Sequence, residues 1–184
     1  MKLELREISP ELVDDFCKLH ARPEMCGCFC RFWQFEGDSE SWFNTTPDEN
    51  RAVKEAEIKA GSARGALFYL AGRSVGWCQF AHRSFFKKMN SRDGFKHSAN
   101  EDVWAISCFA IAKEVRKTGL SHRILEKVLE RIKSLGGKTV EAYPEKGDNL
   151  PDDDVWMGPK RIFEAAGFTP HSETPKILVM RKEL

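Results

Sequence analysis

The chain has 184 residues, 41% of them hydrophobic, with 29 basic and 28 acidic side chains and a formal net charge of +1. That length gives one domain a sizeable core, and near-neutrality supplies no global field to hold a nucleic acid or an acidic membrane. The segment Met1-Lys2-Leu3-Glu4-Leu5-Arg6-Glu7 lacks the apolar core of a signal peptide and no apolar run is long enough to span a bilayer, so a cytoplasmic location is expected.

Leu3, Leu5 and Ile8 alternate with charged residues and predict a first strand with one wet face. Ser9-Pro10 predicts a helix start, with Ser9 as N-cap and Pro10 at the first helical position. Leu12, Phe16 and Leu19 supply that helix with an apolar face, and Pro23 ends it. The run Cys26-Gly27-Cys28-Phe29-Cys30-Arg31-Phe32-Trp33 follows. In an extended conformation its three cysteines project to one side, where thiolates could bind zinc. No fourth ligand is evident and the Cys-x-x-Cys spacing is absent, so no metal is expected and the segment is read as pocket lining. Cys78 and Cys108 sit in apolar runs as small hydrophobes, and nothing points to a disulfide framework.

Thr46-Pro47-Asp48-Glu49 has the pattern of a capping box, opening a helix that runs to about Ala60 and closes at Gly61. Its thin apolar face predicts a surface position. Gly65–Ala71 and Val75–Ala81 predict a hairpin around Gly72-Arg73-Ser74. From Arg83 to Asn100 the chain is polar and basic, with Lys87, Lys88, Arg92 and Lys96 among Phe85, Phe86 and Phe95. Such interleaving occurs in single-strand binders, but a solvated connection between strands is the expectation.

Val103–Ala112 is a near-continuous apolar run and predicts a central strand covered on both faces. After a polar turn, Leu120, Ile124, Leu125, Val128, Leu129, Ile132 and Leu135 fall on one face of a helix that Gly136-Gly137 ends. A buried strand, a basic turn and a helix start together make a place for an anion, because the first N–H groups of a helix lack partners and carry partial positive charge. Lys138–Pro144 predicts another strand, parallel to Val103–Ala112 through a right-handed crossover. Glu145, Asp148, Asp152, Asp153 and Asp154 make an acidic loop. A short helix from Pro159 to Gly167 and two closing strands, Phe168-Thr169 and Lys176–Arg181, complete the chain.

Arg116-Lys117-Thr118-Gly119-Leu120-Ser121 resembles the (Gln/Arg)-x-x-Gly-x-(Gly/Ala) signature of the GNAT superfamily of acyl-CoA-dependent N-acetyltransferases, with Ser121 one small substitution away. Ile162-Phe163-Glu164-Ala165-Ala166-Gly167-Phe168 resembles the late helix of that family and its Gly-Phe ending. The Cys- and Trp-rich segment resembles that of an uncharacterised subgroup. The resemblance implies an α/β (α+β) fold, a single domain over residues 1–184. Its mixed central sheet would have about six to seven strands flanked by about four helices, with a V-shaped splay between two parallel strands.

It further implies acetyl-CoA as co-substrate. The main chain of Phe109, Ala110 and Ile111 would hold the pantetheine arm, and Arg116, Lys117, Thr118, Gly119, Leu120 and Ser121 the diphosphate, with Phe163 nearby. The reaction implied is direct attack by a primary amine of a small molecule or peptide on the thioester, with no nucleic acid or membrane partner and a homodimer left open. The family's strand glutamate and late-helix tyrosine correspond here to Ala105 and Phe163. The acid and base therefore fall to other groups, first Glu141 as base and Tyr143 as acid, then His82 and Cys30. A non-catalytic acyl-CoA-binding module is the alternative.

Overall fold

The computed structural model describes residues 2–92, 94–95, 101–147, 150 and 155–184. Seven strands form one sheet in the order β1-β2-β3-β4-β5-β7-β6. They are β1 Leu3–Glu7, β2 Ala66–Leu70, β3 Arg73–His82, β4 Val103–Ile111, β5 Thr139–Ala142, β6 Thr169–Glu173 and β7 Leu178–Glu183. Every pairing is antiparallel except β4 with β5. The helices among the described residues are α1 Val13–His20, α2 Ser39–Phe43, α3 Pro47–Lys59, α4 Lys87–Ser91, α5 Leu120–Ser134 and α6 Lys160–Ala165, six where about four were expected.

The sheet separates two apolar layers. On one face α5 and α6 bury Leu120, Ile124, Leu125, Val128, Ile132, Ile162 and Phe163 against Phe68, Phe80, Ile106 and Val140. Leu129 is partly buried, and Leu135, expected on the same face, is exposed just past the helix. Gly76 of β3 lets α5 approach, since a Cβ there would stand 2.9 Å from Ile124 Cδ1. On the other face α1 packs Phe16, Cys17 and Leu19 with Phe29, Cys30, Leu67, Trp77 and Cys108.

The capping box of α3 is present, with Thr46 and Glu49 bonding each other's backbone N–H. The helix packs on α1, and its Asn50 donates to the carbonyl of Gly27, a residue of the main cavity wall, at 3.3 Å, although no residue of the helix lines the cavity itself. Three local expectations change. Ser9 makes no side-chain cap, because Pro10–Leu12 forms a 3-10 turn and α1 begins at Val13. The cysteine segment is not extended: Gly27, Phe29 and Cys30 all have positive φ, which coils it. The basic stretch after β3 turns inward: Arg83, Phe86, Met89 and Phe95 are buried, and Lys88 Nζ lies 4.9 and 4.7 Å from the ring centres of Phe32 and Phe35. Aromatic faces attract cations, so here the rings hold the chain's own basic groups. Lys96, Asp148, Asp152, Asp153 and Asp154 lie outside the described residues.

Candidate active site

β4 and β5 pair over four residues only, from Val103 with Thr139 to Ile106 with Ala142. β4 continues to Ile111, so its last five residues leave β5 and a gap opens between the two parallel strands. Ser107 stands where they part. On the β3 side the register passes from Gln79–Cys108 to Phe80–Ile106 and skips Ser107, a bulge that bends β4 at this point. Ala112 N–H bonds Val75 of β3. Strand alternation then turns the N–H groups of Phe109 and Ile111 toward the gap.

A cavity of about 710 Å³ fills this region. One end is lined by Arg116, Lys117, Gly119, Leu120, Ser121 and His122, the other by His20, Cys26, Cys28, Cys30 and Cys108, with Phe109 to Ile111 between. At the first end, Lys117 and Gly119 adopt φ of 61° and 78°, turning the chain sharply into α5. Glycine takes that conformation without strain, and at Gly119 an added Cβ would meet nothing within 4 Å. No side chain caps α5, and no acidic residue occupies its first turn. Oriented N–H groups, a helix dipole and the side chains of Arg116 and Lys117 fit an anion, while on the α6 wall Lys160 is paired with Glu164 at 3.0 Å. Thr118 donates instead to Val115 O at 2.7 Å and does not line the cavity.

Some expected contacts are already engaged. Phe109 N–H donates to Trp156 O at 2.7 Å, and Ile111 O accepts from Arg116 Nε at 2.9 Å. A backbone edge facing a gap still needs partners, and a neighbouring loop carbonyl serves Phe109. Phe163 is fully buried and packs on Phe109 at 6.0 Å between ring centres. It supports the strand and is absent from the cavity wall.

Glu141 and Tyr143 are likewise buried and outside the cavity lining. Glu141 Oε1 accepts from Arg181 Nε and Nη2 at 3.1 and 2.8 Å, and its Oε2 accepts from Tyr143 Oη at 2.7 Å. Arg83 donates to Tyr143 Oη at 3.1 Å, and Arg181 reaches Glu101 at 2.9 Å. Burial and the Glu141 carboxylate push the Tyr143 phenol well above its usual range. The expected base and acid are thus tied into a network that joins β5 to β7, and this placement does not suit them to proton transfer in the cavity. His82 also faces elsewhere, toward Ser84 and Asp102.

The groups that do meet at the inner end are His20, Cys30 and Cys108. His20 Nδ1 lies 3.0 Å from Phe16 O, which fixes the proton on Nδ1 and leaves Nε2 with a lone pair. Nε2 is 3.6 Å from Cys30 Sγ, which is 2.8 Å from Cys108 Sγ. Burial lowers the His20 pKa to about 4, against a smaller upward effect of the Phe16 carbonyl. The imidazole is neutral at pH 7. Cys26 Sγ lies 3.1 Å from Cys28 Sγ, which in turn accepts from Cys30 N–H at 3.4 Å, and no group of three or more side chains placed to hold a metal ion occurs among the described residues. Sequence reasoning missed His20. Its signal was weak, a histidine in the last turn of a helix ten residues before Cys30.

A seven-stranded mixed sheet that parts between its parallel strands over an uncapped helix start is the architecture of an acyltransferase class. The family model described as the acetyltransferase (GNAT) family matches residues 23–156, and the chain belongs to that family. Among solved structures it is similar to an aminoglycoside acetyltransferase AAC(6')-Ib in complex with coenzyme A (TM-score 0.64, 16% identity, 99% of this chain and 95% of that one). It is similar to a GNAT-family acetyltransferase of Listeria monocytogenes (0.63, 12%, 99% and 95%). A third is the PaiA N-acetyltransferase of Thermoplasma acidophilum in complex with coenzyme A (0.59, 9%, 100% and 100%). No curated protein matches the chain.

Proposed function

We propose that this protein transfers an acetyl group from acetyl-CoA to a primary amine of a small molecule or peptide. The observation that carries the reading is the continuity of one cavity from the uncapped start of α5 to the gap where β4 leaves β5. Coenzyme A in the complexes of two structurally similar proteins supports the same donor here. The amides from Lys117 to Ser121 and the Arg116 and Lys117 side chains would hold the diphosphate through charge-assisted bonds. The edge of β4 would hold the arm, the Phe109 N–H exchanging its bond to Trp156 for one to the ligand. The bound donor supplies an activated acyl group.

The chain contributes by holding donor and amine together and by presenting strand N–H groups where negative charge develops. A proton must leave the ammonium form of the acceptor, and His20, on the cavity wall with a lone pair on Nε2, is the base the geometry offers. A second reading, an acyl-CoA-binding module without catalysis, draws on the commitment of Glu141 and Tyr143 to the buried network. Release of free CoA thiol from acetyl-CoA across a panel of amines tests the two. Amine-dependent release at a saturable rate supports transfer. Binding of acetyl-CoA with no release from any amine supports the module.

A further inference from the structure

The inner end of the cavity is lined by apolar groups and by polar groups held neutral. Met25, Phe29 and the thiols of Cys26, Cys28 and Cys30 stand there beside His20. Burial holds the Cys30 thiol well above its usual range. The His20 ring lies between Phe16 and Trp77. The charged group that acts on it is the buried Lys54 ammonium of α3, which opposes a second positive charge. Carboxylates elsewhere on the wall have partners of their own. Glu24 accepts from Lys113 N–H at 3.1 Å and lies 3.6 Å from Arg22, and Glu164 pairs with Lys160. An ammonium brought to the inner end would lose its water and gain no counter-charge beside His20, which is costly.

An aromatic ring, by contrast, finds a seat. Trp156 lines the cavity, and its carbonyl accepts from Phe109 N–H at the edge of β4. Its indole is backed by Trp33, stacked at 6.1 Å, and by Phe32, edge-on at 5.8 Å. A ring held in this way is a platform on which a second ring can pack.

We propose that the acceptor is an aromatic amine, uncharged as it binds, with its ring on Trp156 and its nitrogen toward His20. The proposal rests on the transfer reading and narrows it to one class of amine. In such an amine the nitrogen lone pair is shared with the ring, so at pH 7 no ion has to leave water. The nitrogen adds to the acyl carbon, the bond from that carbon to the CoA sulfur breaks, and the sulfur leaves with the electron pair. The nitrogen's proton passes to His20 Nε2 and from there to the sulfur. Nitrogen attached to a ring holds its extra proton weakly, and a weak base is matched to it. His20, lowered to about 4 by burial, is such a base and is poorly matched to an alkylammonium.

Para-toluidine and benzylamine test this, being isomers of one size that differ in whether the nitrogen sits on the ring. Transfer from acetyl-CoA is followed by thiol release and by the mass of the amide, with the uncatalysed rate subtracted. At pH 7, kcat/KM for para-toluidine should exceed that for benzylamine by at least about tenfold, and should stay level from pH 6 to pH 8. Trp156→Ala should raise KM for para-toluidine about fivefold, the loss of one ring contact, and Trp156→Phe should recover most of it. Equal or better use of benzylamine, or of the polycation spermidine, would overturn the proposal and leave transfer to amines standing. An unchanged KM in Trp156→Ala would overturn the seat of the ring. No release from para-toluidine by a protein that binds acetyl-CoA would overturn the aromatic acceptor, and silence across the whole amine panel would sink the transfer reading with it.

Discussion

His20 is where a single side chain has most leverage on the site. It stacks on Phe16 at 4.0 Å and lies edge-on to Trp77 at 5.8 Å, an apolar setting that disfavours the charged ring. Its pKa falls from 6.5 unfolded to about 4 folded. The unfolded chain therefore binds a proton in a window where the folded one does not. The stabilisation is complete above pH 6.5 and is lost as pH falls toward 4, by about 3 kcal/mol from a shift of this size. Urea titrations at pH 7 and pH 4.5 should show His20→Phe losing less stability on acidification than the wild type. Equal losses in the two proteins would contradict a buried neutral imidazole.

Glu141 is the corresponding case of a residue whose chemistry serves the fold. Its carboxylate is fully buried and takes three bonds from Arg181 and Tyr143. Removing its charge leaves part of that network unneutralised, so Glu141→Gln should cost about 2 kcal/mol while affinity for acetyl-CoA stays within about twofold. Chemical denaturation and calorimetry check the two halves. Unchanged stability with abolished transfer would return Glu141 to the role of base.

Among the elements, the seat of α5 matters most, because its first turn lines the end of the cavity proposed to take the diphosphate. The helix rests on β3 through the contact of Gly76 with Ile124. A valine at Gly76 would wedge the two apart, at about 1 to 3 kcal/mol for overpacking, and should weaken acetyl-CoA binding although residue 76 is not in the cavity wall. Thermal unfolding and calorimetry on Gly76→Val would detect both effects, and unaltered binding would show that the turn at Gly119 keeps its shape without the helix seat. The gap between β4 and β5 is set differently. β5 is only four residues long, so β4 outruns it, and the bulge at Ser107 bends the longer strand away.

For the whole molecule, the central β4–turn–α5 unit was legible in the sequence, because a continuous apolar strand and a 3.6-residue stripe are strong local patterns. So were the capping box at Thr46 and the parallel β5, each encoded within a few neighbouring residues. What escaped was set by contacts between residues distant in the chain. Cys30 with Cys108, Gln79 with Ser107 and Arg83 with Tyr143 are pairings that no local period announces. The stretch after β3 looked solvated because its composition is basic, yet Lys88 and Arg92 lie on aromatic rings drawn from residues 32 to 42. Glu141 illustrates the same limit: a carboxylate in a strand gives no local sign of whether it meets water or Arg181.

Acetyl-CoA is proposed to lie with its diphosphate on the amides that open α5, and calorimetric titration of the wild type beside Ser121→Glu tests this most directly. A glutamate in the first turn complements the helix dipole, so the variant should be no less stable than the wild type, yet its carboxylate would oppose the phosphates. The predicted result is one acetyl-CoA site per wild-type chain and at least a tenfold weaker site in Ser121→Glu, with an unfolding temperature that does not fall. Equal affinities in the two proteins, or no binding by the wild type, would contradict it.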